Sequence, residues 1–180
     1  MATYVALLRG INVGGQKIVD MEKLRSSFEA LGYRHVRSYL QSGNVIFEAA
    51  KTSADDLSKI IRKKILSDVG FPVSVIVRTA NELKKIAAHN PFLSEKSVDH
   101  SKLHVTFSAE LPAEGAVGKL DSLGAFPDRF LVKGREIYLY CPNGYGRTKL
   151  SNNAIEKVLS VKATTRNWNT VGALVTISSE

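Results

Sequence analysis

Residues 35–77 read HVRSYLQSGNVIFEAAKTSADDLSKIIRKKILSDVGFPVSVIV, and their pattern decides the fold. His35 to Leu40 and Val45 to Glu48 are short strand-like runs around the turn-rich Gln41-Ser42-Gly43-Asn44, so they read as a hairpin. Ser53 with Asp56 three residues on opens a helix in the manner of a capping box, Asp standing for the usual Glu. Leu57, Ile60, Ile61 and Ile65 form its stripe and Gly70 ends it. Phe71-Pro72 then leads into the β-branched strand Val73 to Val77.

Upstream, Tyr4 to Leu8 is a buried-strand run. Asp20 caps a helix carrying Met21, Leu24, Phe28 and Leu31, and Gly32 suits its C-terminal turn. The first half is therefore strand, helix, strand, strand, helix, strand. Downstream the order repeats. A helix from Thr79, with Glu82 three residues on, must end by Asn90 because Pro91 follows. Leu103, Val105 and Phe107 alternate with His104 and Thr106 as a strand. Pro112 starts a helix to about Leu123. Phe130 to Val132 and Ile137 to Tyr140 form a hairpin around Lys133-Gly134-Arg135. Ser151 caps a further helix, Ala163 to Arg166 reads as a last strand, and Trp168, Val171, Leu174 and Val175 suit a C-terminal helix. The expectation is an α+β tandem duplication of two ferredoxin-like (βαββαβ) halves plus a C-terminal helix. Its divisions are 1–78, a linking helix and loop at 79–101, and 102–180.

The 180 residues carry 25 Lys+Arg against 17 Asp+Glu, a net charge of +8. Between Arg129 and Arg166 there are 8 basic and 2 acidic side chains, the densest basic region. Such a surface concentrates anions, although solubility alone also accounts for it. A composition of 44% hydrophobic and 23% charged residues excludes disordered and collagen-like classes. No run approaches the roughly 20 apolar residues of a membrane span, and no basic region precedes the first apolar run as in a signal peptide. The expectation is a cytoplasmic protein without membrane contact. The single Cys141 excludes an internal disulfide framework. It has no evident paired base, and the four histidines lack metal-ligand spacing. No metal site is expected, and the cofactor is left unknown.

Four segments do not read as plain scaffold. Arg9-Gly10-Ile11-Asn12-Val13-Gly14-Gly15 joins strand to helix, and its backbone N–H groups could converge on an anion. It is neither GxGxxG nor a Walker loop, and on spacing alone a long glycine turn joining strand to helix is the favoured reading. Gln41-Ser42-Gly43-Asn44 is a polar hairpin tip whose amides could recognise a ligand without ionising. Gly144-Tyr145-Gly146-Arg147-Thr148-Lys149-Leu150 places two glycines and two cations before a helix N-terminus. Thr165-Arg166-Asn167-Trp168-Asn169-Thr170 gathers an arginine and two asparagines around the one tryptophan, which suits either a helix cap or a ligand contact. These loops contain almost no carboxylate, so they favour binding an anion over acid–base hydrolysis.

The segments Arg9 to Gly15, Tyr39 to Asn44, Asn90-Pro91-Phe92 and Arg166 to Thr170 together resemble the hallmark motifs of domain-of-unknown-function family 1697. The resemblance implies a bacterial-type cytosolic protein with a duplicated α+β fold, and carries over no reaction, substrate or cofactor.

The leading expectation is a small anionic ligand, phosphate-bearing or nucleotide-like, in a cleft between the halves. Arg9, Asn12, Gln41, Asn44, Arg147, Lys149, Arg166 and Asn169 would hold it. Whether a reaction follows, and the oligomeric state, are left open. The alternative is a single-stranded nucleic-acid-binding module, for which Tyr4 and Phe47 are the available stacking aromatics. A protein–protein adaptor has no distinctive feature in its favour.

Overall fold

The computed structural model describes residues 1–124 and 126–180. In chain order the elements are β1 (Ala2–Leu8), α1 (Met21–Ala30), β2 (Arg34–Tyr39), β3 (Asn44–Ala49), α2 (Ala54–Val69), β4 (Val75–Thr79) and α3 (Ala80–Ala88). There follow β5 (Leu103–Ser108), α4 (Glu114–Val117), β6 (Arg129–Lys133), β7 (Glu136–Tyr140), α5 (Asn152–Leu159), β8 (Ala163–Asn167) and α6 (Trp168–Ser178). The fold is α+β, with two four-stranded antiparallel sheets and six α-helices among the described residues. The sheets run β2-β3-β1-β4 and β6-β7-β5-β8. Contacts divide the chain into one unit of Met1–Lys84 with Leu174–Glu180 and another of Lys85–Ala173, the partition cutting α3 and α6.

In the first unit, alternation along β1 sends Tyr4, Ala6 and Leu8 into a core with Leu24 and Phe28 of α1 and Leu57, Ile61 and Ile65 of α2. Val5 and Leu7 face the other way and are equally buried. That two-sided burial is why β1 reads as a continuous apolar run. Asp20 Oδ1 accepts the Glu22 and Lys23 N–H groups at 2.8 and 3.0 Å, and Ser53 Oγ accepts that of Asp56. Each such cap is worth about 1 kcal/mol. At the far end of the unit Arg37 donates to the Ile177 carbonyl and pairs with Glu180 at 2.6 Å.

In the second unit, Ile137 and Leu139 of β7, with Cys141 just after it, pack with Leu120, Leu150, Ile155 and Leu159. The opposite face of this sheet carries Val105, Phe107, Tyr138 and Arg166, all buried. Two expectations shift. The helix expected from Pro112 to Leu123 breaks into the single turn α4 and a 3-10 segment at Gly118–Ser122. Gly115 and Gly118 weaken the helix, and Ala113 at the cap offers no side-chain acceptor. The strand expected from Val73 begins at Val75, where its ladder with β1 starts at Leu8, and runs on through Arg78 to Thr79.

Candidate functional site

The first unit brings two of the singled-out loops together through one side chain. Asn12 donates Nδ2 to the carbonyls of Val19 at 3.0 Å and Gln41 at 2.8 Å, while its Oδ1 accepts the Val19 N–H. Its amide is thus committed to holding the 9–19 loop closed and against the hairpin tip. The backbone there is left-handed at Gly10, Asn12, Gly14, Gly15 and Lys17. Asn44 is buried and donates to the Tyr39 carbonyl and to Ser42 Oγ. Asn12 and Asn44 therefore frame the loops, in which Arg9 is half-buried and Gln41 exposed. A cleft of about 720 Å³ adjoins this loop, with Ile18, Val19 and Asp20 along one side and Lys23 and Lys64 among its charges. Asp68 in it already accepts from Ser27 Oγ and Lys64 Nζ.

In the second unit the loop before α5 is held from beneath. Tyr145 stacks on His104 with centroids 4.7 Å apart, and its hydroxyl accepts the Asn152 N–H at 2.8 Å. Thr148 Oγ1 donates to Asp128 and accepts the Leu150 N–H. Arg147 and Lys149, interleaved with these anchors, are exposed and make no ion pair among the described residues.

Arg166 leaves β8 on the other side of the sheet. It sits opposite Val105, whereas His104, one residue away, sits opposite Asn167 on the α5 side. Only 8% exposed, Arg166 donates to Thr164 Oγ1 at 2.7 Å and to the Thr165 carbonyl, and burial pushes its pKa down to about 10. Asn167 Oδ1 caps α6 by accepting the Thr170 N–H. Asn169 is exposed in the first turn.

Arg78 was not singled out in the sequence, yet it is 2% exposed and donates to the Val77 carbonyl. It pairs with Val5 in β1 as Arg166 pairs with Val105 in β5. Each arginine precedes a capping residue, Thr79 or Asn167, that starts the next helix. That recurrence of arginine, cap and helix was the available signal, hidden because the strand was expected to end at Val77.

The aromatic pair on which the nucleic-acid alternative depended is in the wrong place for it. Tyr4 and Phe47 stack on each other at 5.7 Å inside the α1–α2 core. They are cross-strand neighbours on the helix-covered face, so neither can stack a base. Cys141 is likewise buried, which pushes its thiol pKa up. No group of three His, Cys, Asp or Glu side chains among the described residues is arranged to hold a metal ion. No helix among them is long and apolar enough to cross a membrane.

Burial pulls the His104 imidazole below its usual 6.5, against a smaller opposing pull from the Lys102 backbone. The unfolded chain then takes up the proton first. Stability from this residue is complete above pH 6.5 and is lost as pH falls from there toward the lower folded value. Urea unfolding between about pH 7.5 and about pH 5.5 should show that loss, and His104→Phe, which keeps a ring over Tyr145, should reduce it. An unchanged pH slope in the variant would remove His104 as its source.

A family model described as "protein of unknown function (DUF1697)" matches residues 1–138. The chain belongs to that family. Its fold is similar to the solved structure of a conserved bacterial protein from Streptococcus pneumoniae, with a TM-score of 0.79 and 21% identity, covering 98% of each chain. No curated protein matches the chain.

Proposed function

We propose that the chain binds a small phosphate-bearing or nucleotide-like anion. The supporting observation is the pair of exposed cations Arg147 and Lys149, without an ion pair among the described residues, on a loop held by Tyr145 and Thr148. Preformed cations on a rigid loop lose little conformational freedom when an oxyanion arrives. In this reading Arg147, Lys149 and Asn169 are the ligand contacts of the second unit, and Arg9 and Gln41 are the candidate contacts of the first. Asn12, Asn44 and Arg166 position the segments that carry them.

Inorganic pyrophosphate is the probe. Arg147→Ala combined with Lys149→Ala should weaken its binding at least about tenfold in calorimetric titration, with thermal stability unchanged. Equal binding by wild type and variant would dismiss the loop. Arg166→Lys replaces a planar fork by a point charge and should instead cost roughly 1.5–3 kcal/mol of stability, the worth of a hydrogen bond to a charged group. Lost binding with intact stability would return Arg166 to the ligand contacts.

We further read each half as ferredoxin-like, the chain being a tandem duplication of 1–78 and 102–180 joined by 79–101. The shared strand order and the matched pairs Val5–Arg78 and Val105–Arg166 support this reading.

A further inference from the structure

Helix α2 carries Lys59, Arg62, Lys63 and Leu66 at the spacing that puts four side chains on one stripe. That stripe and the segment Pro72-Val73 enclose a groove of about 340 Å³ in the first unit. Its far wall is fixed. Gly70 terminates α2 in the left-handed conformation with its N–H on the Leu66 carbonyl, Ser58 Oγ donates to the Val75 carbonyl, and Val73 is part of the core. Arg62 and Lys63 have no carboxylate partner among the described residues, and Lys59 has only an exposed contact to Asp56 at 3.9 Å. Amid these cations Leu66 is 47% exposed, and the remaining lining is Pro72 and Val73.

We propose that this groove docks an acidic segment of a protein partner, with an aliphatic side chain on Leu66, Pro72 and Val73 between carboxylates that pair with Lys59, Arg62 and Lys63. Charge complementarity selects an anionic partner. The aliphatic lining selects a peptide over a nucleic acid, because no aromatic side chain lines the groove to stack a base. The groove shares no lining residue with the Arg147–Lys149 loop, so either reading can fail alone.

The test uses the full chain and three probes. These are a short synthetic peptide of alternating glutamate and leucine, the same peptide with glycine for leucine, and a single-stranded oligonucleotide. The glutamate–leucine peptide should shift the methyl resonances of Leu66 and Val73 saturably, and more weakly as salt is raised. The glycine peptide should bind at least about tenfold more weakly. Lys59→Glu, Arg62→Glu and Lys63→Glu combined should abolish the shifts. Leu66→Ala, a conservative change at an exposed site, should remove the preference for leucine even if the triple variant folds poorly. Tighter binding of the oligonucleotide, equal binding of the two peptides, or no shift at Leu66 and Val73 would each overturn the proposal.

Discussion

Replacing Phe47 by alanine should lower the unfolding free energy by about 3–5 kcal/mol, the usual cost of deleting a buried aromatic ring. Phe47 is fully buried in β3 and meets three other rings. Tyr33 stacks on it at 4.7 Å, Phe28 meets it edge-on at 5.3 Å, and Tyr4 lies 5.7 Å away. Truncation would leave a cavity walled by β1, α1 and the Tyr33 turn, which cannot all move inward together. Equilibrium urea unfolding of wild type and variant provides the measurement. A loss below about 1 kcal/mol would mean that the ring is not in the core, and stacking of bases on it would again be open.

How much of this was legible in the sequence depends on whether the deciding interaction was local. The caps at Asp20, Ser53 and Ser151 each act on a backbone N–H two or three residues away, and all three were readable from the chain. The strand character of Tyr4 to Leu8 was also local. The face on which Tyr4 lies was not. It follows from the pairings Tyr4–Phe47 and Tyr4–Thr79, which join residues more than forty positions apart. The burial of Arg166 is of the same kind, fixed by its place opposite Val105. In the site, sequence reasoning found the loops but not the division of labour within them. An asparagine in a glycine-rich loop looks the same whether its amide meets a ligand or, as at Asn12 and Asn44, a neighbouring carbonyl.

That division of labour gives Gly43 the second large effect. Its φ of +84° is left-handed, and a Cβ there would come within 2.7 Å of Ile11 Cδ1 and 2.8 Å of Leu8 Cβ. The Leu8 carbon is attached directly to the backbone of β1, whose own N–H is held by the Gly43 carbonyl at 2.8 Å, so it cannot swing aside. Gly134, in the β6–β7 turn, has φ of +59° but open space around it. Gly134→Ala should therefore cost only the left-handed backbone penalty, about 1–2 kcal/mol. Gly43→Ala should cost that and a further 1–3 kcal/mol or so for the overlap. The difference between the two variants in urea unfolding isolates the close approach of the hairpin tip to β1. Equal losses would mean that the tip is free to move away from Leu8 and Ile11. Separation of the tip would also draw Gln41 from Asn12, the bond that ties it to the 9–19 loop. Gly43→Ala should then loosen both loops at once, seen as faster amide exchange at Val19 as well as at the tip.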